Sequence, residues 1–363
     1  MNADLWERVL PLLAFLATVV VFAELVAEAE VFDVVAARLA RAARGRVLRL
    51  FGLCVLLATA TTVALNLDTT AVLLTPVLLA LAARISLPPL PFAMTTVWLA
   101  NTASLLLPVS NLTNLLAIGR LDLSPLAFAA RMAAPAFAAV AVTAVLLWVL
   151  FWRPVHARTP RYDVPEPHAP SDPVLTGIAG ATVLGFLVAV LADAPLWAAS
   201  AVSALVVAVA FAVRRRSALG PFGGLGLVPW PVLALVAAMF AVVGFATDHG
   251  LSGVVEALVG DDGSPWRAAA TGLGSANLIN NLPAYLAGES ALGPGSTSAL
   301  LALLIGVNVG PLITPWASLA TLIWFGRCRS AGVSVPRGRF LLAGALLAVT
   351  ATAAATGALV LTT

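Results

Sequence analysis

The chain has 363 residues, of which 61% are hydrophobic and 10% charged, and its formal net charge is +3. A soluble domain carries about 25% charged residues, so this composition, with a mean hydropathy of +1.01, excludes a soluble globular protein and implies a polytopic membrane protein. Every basic residue is arginine and most sit at the ends of apolar runs, which is what membrane orientation requires and not what nucleic-acid binding requires.

Apolar runs of the ~17 to 25 residues needed to cross a bilayer as a helix recur along the chain, without the alternation of a barrel. The first, 9–27, follows a single Arg and lacks a small-residue cleavage site, so it reads as a retained span. Glu24 and Glu28 near its inner end reach toward the headgroups. VFDVVAARLARAARG (31–45) sets Val, Leu and Ala on one face and Arg38, Arg41 and Arg44 on the other, the pattern of an interfacial helix. An apolar segment (47–65) leads to a polar tip (66–70) within LNLDTTAVLLTP (65–76), and a short apolar segment (71–83) follows. The next span (91–118) is interrupted by LPVSNLTN (107–114) and followed by a closing span (127–151). RPVHARTPRYDVPEPHAPSDP (153–173), with His156 and His168, reads as a flexible cytoplasmic linker. Clean spans at 174–191 and 195–213 come next. Span 228–247, ending at Asp248 and His249, then opens a second series: an amphipathic piece (249–260), an apolar segment (266–276), a polar tip (277–283) within ANLINNLPA (276–284), a short apolar segment (284–292), a span (297–326) broken at GVNVGPLITP (306–315), and a closing span (338–361).

The order of elements is the same in the two series. The chain therefore divides into a first repeat (1–152), the linker (153–173) and a second repeat (174–363), an all-α membrane fold in which each repeat holds a re-entrant hairpin and a broken helix meeting near the midplane. Irregular backbone survives at membrane depth only where protein buries it or a wet cavity is present, and Pro108, Pro283 and Pro311 explain why helices stop there. Arg38 to Arg49, Arg84, Arg153, Arg158, Arg161, Arg214 to Arg216, Arg327, Arg329, Arg337 and Arg339 fall on one side if each tip is a hairpin or an even pair of crossings, and Asp261 and Asp262 fall on the other. The repeats are then inverted, the sequence signature of a secondary transporter.

At ANTASLLLPVSNLTNLL (100–116), LINNLPAYLAG (278–288), GVNVGPLITPWASLATLIW (306–324) and LDTTAVLLTP (67–76) the sequence resembles the arsenite permease family of the ion transporter superfamily, which also includes sodium-coupled dicarboxylate and citrate carriers. The resemblance covers nearly the whole chain in order. It implies export of arsenite or antimonite across the cell membrane on a proton or ion gradient, with a homodimer and an arsenite-stimulated ATPase subunit as partners. Family members usually carry acidic residues at the positions of Asn101 and Asn308, and two further spans before the one at 9–27, so this chain is expected to be a shortened member or to have a start upstream.

The residues define two groups. Asn66, Asp68, Thr69 and Thr70 offer oxygens and freed carbonyls suited to a proton or a sodium ion, the expected bound species in the absence of any cofactor. The alternative is that Asp68 caps the helix starting at Thr69. Ser110, Asn111, Thr113, Asn114, Asn280, Asn281, Asn308, Thr314 and Ser318 form a neutral amide and hydroxyl set for substrate, without Lys or Arg in any tip. Uncharged arsenous acid fits such a set, whereas a di- or tricarboxylate, the other substrate class, would rely on helix N-termini. Cys54 and Cys328 are too far apart in the chain to read as a thiol site for arsenic and read as small apolar fillers. An enzyme is disfavoured, since no His lies at membrane depth and no HExxH or GxSxG motif occurs.

Overall fold

Long apolar runs form uninterrupted helices here, and the polar stretches end them. The computed structural model describes residues 3–214, 230–246, 257–258, 263–293 and 296–363. The helices of the first series are α1 (Ala3–Glu28), α2 (Val31–Ala42), α3 (Val47–Ala64), α4 (Leu67–Arg84), α5 (Pro89–Thr102), α6 (Leu112–Leu121) and α7 (Pro125–Arg158). Next come α8 (Pro173–Leu191), α9 (Leu196–Arg214) and α10 (Trp230–Ala246). The rest are α11 (Pro265–Ile279), α12 (Asn281–Ala291), α13 (Thr297–Val309), α14 (Leu319–Ser330) and α15 (Arg337–Thr362). Six helices among the described residues are long and apolar enough to cross a membrane: α3, α4, α7, α8, α9 and α15. The protein is an all-α, multi-pass membrane protein. The amphipathic piece at 249–260, apart from residues 257–258, lies outside the described residues, as do Asp248, His249, Asp261, Asp262, Arg215 and Arg216.

The chain forms two compact units, Met1–Arg38 with Glu166–Ala241, and Leu39–Pro165 with Val242–Thr363. In the first, α9 packs against both α1 and α8, with Thr18 and Ser200 hydroxyls 2.6 Å apart and the Phe22 and Phe186 rings 5.7 Å apart. Asp172 caps α8 by accepting the amides of Val174 and Leu175 at 3.1 Å, and Arg214 Nε donates to its Oδ2 at 2.6 Å. That guanidinium holds the Asp172 carboxyl below its usual range.

The second unit contains both hairpins and both broken helices. Within it α5 packs on α3, α4 and α7, α13 packs on α11, α12 and α15, and α7 packs against α15. The crossing of α11 and α13 depends on two glycines. A Cβ at Gly272 would stand 2.7 Å from the Leu303 carbonyl oxygen, and one at Gly306 would overlap the Ala269 carbonyl, so the backbones meet where no side chain intervenes.

Two expectations are modified. The arms of the first hairpin, α3 and α4, are 18 residues each and long enough to cross the bilayer, whereas α11 and α12 of the second have 15 and 11 and suit re-entry. The stretch 153–173 is not free chain over its first part. Residues 153–158 continue α7, Arg161 bridges to Arg46, and the Tyr162 hydroxyl donates to the Ala40 carbonyl at 2.5 Å. Further on, His168 pairs with Glu30 at 2.8 Å, and Ser171 also donates to Glu30. The prolines therefore set an extended path that backbone and side-chain bonds then hold.

Candidate functional site

Each of the four polar breaks ends in a helix whose first turn is capped by a short polar side chain. Asn66 Oδ1 accepts from Thr69 N at 2.7 Å, Asn111 Oδ1 from Thr113 N at 3.3 Å, Asn280 Oδ1 from Leu282 N at 3.3 Å, and Ser318 Oγ from Thr321 N at 3.1 Å. These side chains satisfy amides that water cannot reach. Asn66 and Asn280 also hold positive φ values of 152° and 95° with extended ψ, a region outside the left-handed helix that is normally left to glycine, so both hairpin turns carry backbone strain. Asp68 is accordingly not the cap. It lies in the first turn of α4, and its carboxylate accepts no hydrogen bond from a described residue.

The fold distributes the substrate and coupling sets over three clusters. In the first, Asn308 of α13 reaches the tip of the other broken helix. Its Oδ1 accepts from Asn111 Nδ2 at 3.0 Å and from Thr113 Oγ1 at 2.5 Å, and its Nδ2 donates to Asn114 Oδ1 at 2.7 Å. Asn114 Nδ2 in turn donates to the carbonyls of Ser104 and Leu107 at 2.6 and 2.8 Å, so both amides have their orientation set by the network. Asn114, Thr113 and Asn308 are fully buried. Ser110 does not join them; its hydroxyl donates to Val63 O of α3 at 3.2 Å.

The second cluster ties the hairpin α11–α12 to the break in the other span of its own series. Asn277 Oδ1 accepts the amides of Ile313 and Thr314, and its Nδ2 donates to Gly310 O at 2.8 Å. Thr314 Oγ1 and Trp316 Nε1 both donate to Asn277 O. Asn280 Nδ2 donates to Trp316 O at 2.9 Å and Asn281 N to Ala317 O at 2.8 Å. The Asn281 side chain is buried with no hydrogen bond to a described residue. The third cluster is the tip of α4, where Thr70 Oγ1 donates to Asn66 O at 3.1 Å and lies 2.9 Å from Thr62 Oγ1. Helix α14, which begins at the Ser318 cap, packs against α4.

The sequence reading missed several participants. Asn277 stands in the polar tip 277–283 but was masked by two adjacent asparagines. Thr62 and Thr321 looked like ordinary helix residues. Glu289, on α12, is the one charged side chain buried below a tenth of its area among the described residues, and the signal for it was an acid inside the apolar run 284–292. Cys54 and Cys328 are both buried and unpaired, consistent with apolar filling.

Residues 8–306 match the family model described as citrate transporter. The chain is 30% identical over 369 residues to an arsenical pump membrane protein of Escherichia coli, covering 94% of this chain and 84% of that one. It is 29% identical over 367 residues to the arsenical pump membrane protein of Yersinia enterocolitica, with the same coverage. A putative arsenical pump membrane protein of Bacillus subtilis is 28% identical over 346 residues, covering 85% and 77%. Among solved structures, the crystal structure of the Alcanivorax borkumensis YdaH transporter superposes with a TM-score of 0.54 at 17% identity, over 99% of this chain and 89% of that one, a likeness of fold alone.

Proposed function

This chain belongs to the citrate transporter family, and from that premise we propose that it exports arsenite and antimonite across the cell membrane as a secondary transporter driven by a proton or ion gradient. The observation that carries the substrate class is the chemistry of the breaks: buried amides and hydroxyls from both broken helices, with no Lys or Arg among them. Arsenous acid carries three O–H groups and no charge, so it can exchange hydrogen bonds with this network without a counter-ion. The names of its relatives at about 30% identity support the same reading. Expression in an arsenite-sensitive bacterial host should raise resistance and lower accumulated arsenic; unchanged accumulation with the protein present in the membrane would count against it.

The second reading is a sodium- or proton-coupled di- or tricarboxylate carrier. The family's description favours it, and α6 and α14 begin at the breaks, where helix N-termini can serve a carboxylate. Uptake of citrate or succinate, but not arsenite, by reconstituted vesicles would put this reading first.

Transport on either reading proceeds by alternating access between inverted repeats. The matching element order supports this, as do the matched landmarks of the broken helices, where Asn101, Pro108 and Asn111 stand at the same spacing as Asn308, Pro315 and Ser318. A cysteine placed at Thr69 should then react with a membrane-impermeant maleimide from the cytoplasmic side and one at Leu282 from outside. Labelling of both from one face would sink the inverted arrangement. A homodimer and an ATPase subunit remain proposals from family resemblance, to be tested by cross-linking in membranes.

A further inference from the structure

The two broken helices repeat their polar landmarks, yet the fold treats one pair of equivalent asparagines differently. Asn308 ends the first half of its span with every polar atom of its amide bonded across to the other tip. Asn101, at the matching position of the first series, is just as buried, but among the described residues its Nδ2 donates only to Val97 O within its own helix at 2.9 Å, and its Oδ1 meets no donor. Exchanging the amide's O and N does not remove the defect. It would bring Oδ1 against the Val97 carbonyl and leave the N–H groups unmet instead. Trp324 Nε1 ties α14 to Ala93 O of α5 at 2.9 Å. Roughly two helical turns separate Ala93 from Asn101 along α5, and about as many separate Trp324 from the Ser318 cap along α14, where the second break ends. There the Ser318 and Thr321 hydroxyls are 2.9 Å apart and pair with each other.

We propose that Asn101 Oδ1 is an acceptor reserved for the transported solute, taking an O–H from a small neutral hydroxyl-bearing molecule at the position that the Asn308 network fills in the other half. This rests on the neutral-solute reading above. A buried carbonyl without a donor destabilises the protein that carries it, and an apolar side chain of similar size would not incur that cost. The fold keeps an unsatisfied oxygen where a ligand's hydroxyl satisfies it. Stability and transport at this position therefore run in opposite directions, which a purely structural asparagine does not produce.

The test compares wild type with Asn101→Leu, purified in detergent and reconstituted. Without ligand, the melting temperature of Asn101→Leu is expected to equal or exceed that of wild type. Sodium arsenite at neutral pH, where it is the uncharged acid, should raise the wild-type melting temperature but not that of Asn101→Leu. Arsenite transport by vesicles should fall by about tenfold, the effect of one lost hydrogen bond to the solute. A melting temperature lowered by more than about 4 °C would overturn the inference, because the carbonyl would then have a protein partner. An undiminished arsenite-induced shift in Asn101→Leu would overturn it too, because the atom would then be serving water or nothing. If wild type itself neither transports arsenite nor is stabilised by it, the substrate reading fails first and this inference fails with it.

Discussion

Asn308→Leu is expected to abolish transport and to lower the melting temperature of the purified protein markedly. The substitution preserves volume but leaves Asn111 Nδ2, Thr113 Oγ1 and Asn114 Oδ1 without the partners that Asn308 supplies. A buried polar group deprived of its partner costs about 1–3 kcal/mol, and three such groups amount to a large share of a protein's net stability. The loss also unties α13 from the tip of the other broken helix, so the two no longer hold each other in register. Asn308→Asp discriminates between packing and donor chemistry. It keeps an oxygen for Asn111 and Thr113, but when ionised it turns an oxygen, not an N–H, toward Asn114 Oδ1, whose orientation is held by Ser104 and Leu107. A protonated carboxyl restores that donor, so Asn308→Asp should tolerate acid better than alkaline medium, and Asn308→Leu should be equally unstable in both. Thermal melts across pH measure this. Wild-type stability in Asn308→Leu would show that the network is incidental.

The second large effect is at Asp68, which we propose as the coupling carboxylate. With amides at 101 and 308, acids are scarce at the breaks, and Asp68 stands in the first turn of α4 without a hydrogen bond to a described residue. A carboxylate at membrane depth costs roughly 2.5–3.5 kcal/mol on insertion scales unless it is solvated, paired or protonated. The helix does not need Asp68 as a cap, because Asn66 Oδ1 holds Thr69 N at 2.7 Å. Asp68→Asn should therefore insert and fold like wild type and still exchange substrate down its gradient. Accumulation against a gradient should fall at least about tenfold, since an amide cannot carry the proton and offers a cation a neutral oxygen in place of a negative charge. Full gradient-driven transport in Asp68→Asn would move coupling to another acid, and Glu289, buried on α12, would be the next to test.

Much of this protein was legible in the chain itself. Composition alone placed it in a membrane, since 61% hydrophobic residues cannot be buried in a soluble domain of this size. The positions of the four breaks were legible too, because Pro and Asn inside apolar runs leave backbone groups that lipid cannot satisfy. The resemblance at the same stretches pointed to the family that the comparisons support. Individual roles were less legible. Ser110 stands beside Asn111 in sequence but bonds to α3, and Asp68 reads as a cap only until Asn66 is seen to hold that place.

Sequence by itself determined that the chain is built of apolar helices and where the four polar breaks fall, because these follow from local hydrophobicity, proline geometry and capping within a few residues. Tertiary structure alone decided which polar groups meet. Asn308 lies 194 to 197 residues from its three partners, and only the packing of α13 against α6 joins them. It alone also decided that Asn101, identical in type and spacing, has an oxygen that meets no donor among the described residues, since hydrogen-bond satisfaction depends on what the folded chain brings within about 3 Å, and residue type cannot report that.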